Sequence, residues 1–247
     1  MPIKSLLTIK KKTSGRDSHG HVSIRHRGGE HKRFLRQIEW NRRQLDIPAK
    51  VVAIEYDPGR TADLALIVYQ NGAKAYILAT TNMQVGDTVI YSNTAPIKDG
   101  NCLPLKNIPV GVPIHALSFQ VGKPAQIIKS AGSAAYIQSI DGNKALVKLP
   151  SGEIRIFNSD CRATIGQVSN ADHSNQKLTK AGEMRHRGIR PTVRGVAQDP
   201  HSHPHGGGEG RSSIGMHPKT KWGKPAFRRT RKLKKASNRL IVQRRKK

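Results

Sequence analysis

Residues 199–211 read DPHSHPHGGGEGR. His201, His203 and His205 alternate with Ser202 and Pro204, and side chains two apart in an extended chain project to one side. With Glu209 close by, such a set could hold Zn²⁺, which takes nitrogen and carboxylate ligands. The other histidines are scattered, and no second ligand pair stands at a usual metal spacing. Acid–base catalysis would need a nucleophile and an orienting group. Ser202 and Ser213 are near only in sequence, and there is no G-x-S-x-G turn. The third possibility is structural. Gly206, Gly207 and Gly208 carry no Cβ, so their backbone amides can approach a phosphate or a base closely. His203, His205 and Arg211 then supply donors and stacking planes that suit irregular RNA.

The same recipe recurs. RHRGGEHKR places Arg25, Arg27, Lys32 and Arg33 around Gly28 and Gly29, and RPTVRGVA places Arg190 and Arg194 beside glycine and proline. Recurrence at both ends of the chain argues for one common partner. In the middle, YDPGR puts Arg60 on a turn, and KSAG puts Lys129 ahead of a small-residue turn. The tail adds Arg228, Arg229 and Arg231 within AFRRTRKLKK.

Charge says what that partner is. The 247 residues hold 44 Lys and Arg against 16 Asp and Glu, a net charge of +28. The net charge is +9 over residues 1–43, +3 over 44–180, +1 over 181–210 and +15 over 211–247. A nearly neutral body between cationic extensions needs a polyanion. Nucleic acid fits better than membrane. No apolar run reaches the roughly 18 residues of a spanning helix, and the tail lacks the periodicity and aromatic anchors of an interfacial one. The apolar stretch of MPIKSLLTIKKK is too short for a secretory signal. Cys102 and Cys161 stand at no paired spacing and read as free thiols.

The elements that must position these residues are short strands. AKVVAIEYD and ADLALIVYQ are rich in β-branched and apolar residues, and Asn71-Gly72 marks a tight hairpin. VGDTVIYS continues the set, whose regular spacing suggests a small closed barrel. A second set follows the proline-punctuated 103–119: AQIIKS, AAYIQSI, KALVKLP, SGEIRIF and CRATIGQV, with a hairpin at Asp141-Gly142. From Ala181 onward no period of 2 or 3.6 is sustained. The expected division is a basic arm at 1–43, barrels at 44–103 and 104–180, and a Gly/Pro/basic extension at 181–247. Residues 211–247 alone bury too little apolar surface to offset chain entropy and should be unstructured without a partner.

Taken in order, RHRGGEHKR, EYDPGR, YILA, LPLKNIPVG, KSAG, LPSGEIR, DCRATIG, RPTVRGVA and HPHGGGEGR resemble the family of large-subunit ribosomal protein two, bacterial type. The resemblance runs from about Ser14 to the C-terminus. It implies an all-β fold, an OB-like barrel followed by an SH3-like barrel with long basic extensions. It also implies primary binding of 23S-type rRNA, neighbouring large-subunit proteins as partners, contact with the small subunit at an intersubunit bridge, and a position near the peptidyl-transferase region. The RNA-binding arginine of the first barrel falls on Arg60. That of the second falls on Lys129, where lysine keeps the charge and loses the bidentate fork. The family's histidine falls on His203, preceded here by Ser202 where members commonly carry Asp. An anion, Glu30, follows Gly28-Gly29, and the N-terminal extension is shorter than is typical.

The resulting expectation is a non-catalytic ribosomal protein that binds rRNA and supports subunit association and the peptidyl-transferase region. It would need no metal or cofactor, with Mg²⁺ entering only as part of the rRNA environment. It would have no membrane association and no homo-oligomer, and would sit in a bacterial-type cytoplasmic ribosome or an organellar one. The rival readings are a His-dependent transferase or metal hydrolase centred on residues 201–209, and a nucleic-acid chaperone acting outside the ribosome.

Overall fold

Strand-forming runs punctuated by glycine and proline give fifteen short strands, one short α-helix and five 3₁₀ turns among the described residues. The computed structural model describes residues 2–227 and 230–245. The strands are β1 (Leu7–Ile9), β2 (Phe34–Arg36), β3 (Ala49–Glu55), β4 (Leu64–Tyr69), β5 (Lys74–Leu78), β6 (Thr88–Val89), β7 (Cys102–Pro104) and β8 (Pro113–His115). They continue with β9 (Leu117–Ser118), β10 (Ala125–Ile127), β11 (Ala135–Asp141), β12 (Lys144–Lys148), β13 (Ile154–Asn158), β14 (Arg162–Ile165) and β15 (Ile241–Gln243). Helix α1 spans Ala181–His186.

The chain divides into two units. One gathers the chain up to Lys10, Lys32–Lys177 and the chain from Arg239; the other joins Lys11–His31 with Leu178–Asn238. The first unit is all-β and holds both barrels, OB-like then SH3-like. Its sheets run β5-β4-β3-β6 and β15-β13-β12-β11-β8-β14-β7, with β1-β2 and β9-β10 as two-stranded ribbons. Both hairpins read from the sequence form. β4 and β5 pair antiparallel across Asn71-Gly72, and β11 and β12 pair from Asp141↔Lys144 across Gly142.

β4 is buried on both faces, which explains why LALIVY is a continuous apolar run instead of an alternating one. Ala65, Ile67 and Tyr69 pack with Val51, Ile77 and Val89 in the first barrel's core. Leu64 and Leu66 face the other way, with Tyr76, Leu78 and Val168, in a cluster that also takes in Trp40, Ala116 and Ala131. That cluster joins residues of both barrels to the segment carrying Trp40. The second barrel has its own core around Leu103, Leu105, Ile114, Ile137, Val147, Phe157 and Ile165.

Two features differ from the sequence expectation. The stretch after Ala181 contains α1, a single six-residue helix too short to show as a period. The tail is not wholly without structure, because β15 pairs antiparallel with β13, Arg155 opposite Ile241 and Ile154 opposite Gln243. The cause is an open edge: β13 offers unpaired backbone groups that any extended segment can satisfy. Among the described residues, no helix is long and apolar enough to cross a membrane. Cys102 and Cys161 are free and buried.

Candidate nucleic-acid interface

Arg60 and Lys129 come from turns of different barrels and meet at one aromatic ring. The Lys129 Nζ lies 4.3 Å from the centroid of Trp40, and the Arg60 Cζ lies 5.5 Å from it. Each cation is attracted to the ring's quadrupole. Each also repels the other: burial first, and then the Arg60 charge, hold the Lys129 ammonium below its ordinary pKa. Lys129 has no carboxylate within ion-pair distance among the described residues. Two like charges gathered without full neutralisation make a site for an anion.

Asp57 fixes Arg60. Its carboxylate is buried; Oδ2 accepts from Arg60 Nε at 2.7 Å, and Oδ1 accepts from the Gly59 amide at 2.9 Å. Arg36 Nη1 approaches the same Oδ1 at 3.4 Å. The Asp-Pro-Gly-Arg turn thus ties the guanidinium to its own backbone and leaves part of its donor fork for another ligand. Lys129 is aimed by a strained neighbour. Ile128 holds φ +57°, a left-handed conformation that is rare for a β-branched residue, while its side chain is buried. Its carbonyl accepts from the Ala116 amide at 2.9 Å, which locks the strain in place. The two turns are bonded together. Thr61 Oγ1 accepts from the Ala131 amide at 3.1 Å, and Asn170 Nδ2 donates to the Thr61 carbonyl at 2.7 Å.

The second unit brings together basic segments that are remote in sequence. The Gly28 amide donates to Gly188 O, the His31 amide to His186 O, and the Arg190 amide to His26 O. Arg27 forms a bridge with Ile189. Arg25, Arg27, Arg190, Arg194, Arg211 and Arg231 are exposed. In the first unit, Lys32 is exposed and Arg33 is half-buried with Nη1 donating to Pro58 O. Arg231 is held by Asn238 and Ser237. Glu30 packs where a Cβ on Gly188 would meet it, so the anion after Gly28-Gly29 is part of this junction. Arg228 and Arg229 lie outside the described residues.

In the 201–209 loop the lone pairs that a metal would need are in use. The His205 amide donates to His203 Nδ1 at 3.0 Å, and the Lys219 amide donates to His205 Nε2 at 2.9 Å. The remaining proton of His203 therefore sits on Nε2 and that of His205 on Nδ1. Asp199 shapes the loop by accepting from the His201 amide at 2.8 Å. The glycines are required by the loop itself. A Cβ on Gly206 would lie 2.5 Å from the carbonyl oxygens of Gln198 and Asp199, and one on Gly195 would lie 2.6 Å from the His203 ring. Gly207 and Gly208 take positive φ. Among the described residues, no group of three or more His, Cys, Asp or Glu side chains could hold a metal ion.

Reading the sequence missed Trp40 as the meeting point. The only signal was a tryptophan set among Arg and Gln in a basic segment. Nor does the sequence mark the buried Arg42 and His115 or the half-buried Arg162, whose surroundings depend on contacts across the whole unit.

Two family models match the chain. One, described as Ribosomal Proteins L2, RNA binding N-terminal domain, covers residues 3–91, and the other, Ribosomal Proteins L2, C-terminal domain, covers residues 98–223.

Proposed function

The chain belongs to the ribosomal protein L2 family, an RNA-binding structural component of the large ribosomal subunit, and on that premise we propose that it is a primary binder of 23S-type rRNA. The observation that carries this reading is the convergence of Arg60 and Lys129 on Trp40, where mutual repulsion favours a bound phosphate. RNA strands present phosphates and flat bases together, and a tryptophan flanked by cations suits both. The second unit, with Arg25, Arg27, Arg190, Arg194, His203, His205 and Arg211, and Lys32 and Arg33 at the edge of the first unit, would order against the same RNA. With it we propose contact with neighbouring proteins, the small subunit at an intersubunit bridge, and support of the peptidyl-transferase region. The chain would act as one copy, without catalysis or a cofactor of its own, with Mg²⁺ arriving as part of the RNA. Occupied lone pairs on His203 and His205 support positioning over acid–base or metal chemistry.

Filter retention with fragments of large-subunit and small-subunit rRNA tests the proposal. Large-subunit RNA should bind at least tenfold tighter at matched length and salt. Equal retention of both would reduce the chain to a non-specific polycation.

A further inference from the structure

Trp222 is 73% exposed. Exposure alone says little, since Phe227 at 79% and Leu233 at 74% stand out as far in the same tail. What distinguishes Trp222 is the backbone under it. Residues 218–226 form a tight hairpin. The Ala226 amide donates to Pro218 O at 2.8 Å, the Thr220 amide to Lys224 O at 2.8 Å and the Gly223 amide to Thr220 O at 2.9 Å, and Lys219 stands opposite Pro225 in an antiparallel bridge. Gly223 closes the three-residue loop 221–223 at φ +77°, the left-handed position that such a loop requires. The hairpin is tethered in turn: the Lys219 amide donates to His205 Nε2 at 2.9 Å, and the His205 ring lies 4.7 Å from that of His203. Trp222 therefore stands at the tip of a hairpin tied to the histidine–glycine loop, all within the second unit.

Its surroundings are cationic. The Lys221 Nζ lies 4.6 Å from the centroid of the Trp222 ring and covers one face, which leaves the other to solvent. Lys219 and Lys224 sit on the two arms, and residues 211–247 contain no Asp or Glu. None of these three lysines has an ion pair among the described residues. An apolar partner surface would have to desolvate unpaired ammonium groups at this site, which is costly. An RNA strand neutralises them with phosphates and lays a flat base on the open ring face.

We propose that Trp222 is a stacking platform for one unpaired base of the bound RNA, with Lys219, Lys221 and Lys224 on the flanking phosphates. A duplex keeps its base faces covered, so the platform selects a single-stranded or bulged nucleotide. Because the hairpin already presents the ring, little ordering remains to be done on binding. The inference rests on the RNA-binding reading and adds to it a contact of different chemistry in the second unit, apart from Arg60, Lys129 and Trp40 of the first.

The test uses the full chain with Trp40→Phe, which leaves Trp222 as the single tryptophan, shown to be folded by circular dichroism. A short end-labelled oligouridylate and an abasic ribose-phosphate strand of the same length are titrated at moderate, constant ionic strength. Binding is read from the anisotropy of the label, and Trp222 emission is followed in parallel. The oligouridylate should quench at least about half of that emission saturably, as stacking on the ring requires, while the abasic strand binds and leaves most of it. Trp222→Leu in the same background should weaken oligouridylate binding by about tenfold or more and abasic-strand binding by less than about twofold, with Trp222→Phe in between. Oligouridylate that binds without quenching, equal quenching by the abasic strand, or oligouridylate affinity unaltered by Trp222→Leu each overturns this inference and leaves the RNA-binding reading standing. A chain that binds neither strand overturns both.

Discussion

Arg60 and Lys129 differ in how firmly they are held, and substitution should reveal it. Arg60 is anchored through Asp57, so Asp57→Ala should both lose the anchor and leave Arg36 and Arg60 without their shared carboxylate. Removing one member of a buried pair costs roughly 3–5 kcal/mol, and urea unfolding of Asp57→Ala should show a loss of that order. His115 makes a separate prediction. Burial chiefly, with the nearby Arg42 charge, holds its pKa down to about 4 against an ordinary 6.5. Above about pH 6.5 both folded and unfolded chains keep it neutral; as the pH falls towards 4 the unfolded chain takes up a proton that the folded one refuses. Stability should therefore drop by about 3 kcal/mol across that window. His115→Gln should lack this part of the drop, so its difference from the parent chain should shrink as pH falls. At this scale the sequence was partly legible. Arg60 and Lys129 could be singled out because turn residues flank them, whereas the buried Arg42 and His115 and the half-buried Arg162 carry no local mark. Their role arises from contacts 50 or so residues apart, such as that of His115 with Gly166.

Among elements, the hairpins were readable because Asn-Gly and Asp-Gly impose a backbone geometry irrespective of context. β15 was not, since Ile-Val-Gln at the end of a basic tail gains a strand only from the open edge of β13. Hydrogen exchange on the RNA-free chain should accordingly show protection at Ile241–Gln243, while the exposed tail before it exchanges quickly. Uniformly fast exchange through 241–243 would remove β15. The glycine-rich loop was legible as irregular backbone, but the reason for its glycines was not. The sequence suggested close approach to RNA; the structure adds close approach of the loop to itself. Gly195→Ala should displace the His203 ring, seen as a shift of its imidazole resonances, with the two barrels unaffected.

For the whole molecule, charge placement indicated an RNA partner before any fold was known, and under the proposed function the barrels would convert that general attraction into a defined contact. If on the order of ten phosphates are neutralised, log affinity should fall against log salt with a slope near −7 to −9. Loss of Arg60 and Lys129 should remove about two of those contacts and lower the steepness by roughly 1.4 to 1.8. The most direct measurement is the salt dependence of binding to a large-subunit rRNA fragment for the parent chain and for Arg60→Ala/Lys129→Ala. The double variant should bind at least about a hundredfold more weakly at moderate salt, with the flatter slope. Unchanged affinity and slope, with the basic arms intact, would show that the cations over Trp40 do not meet the RNA.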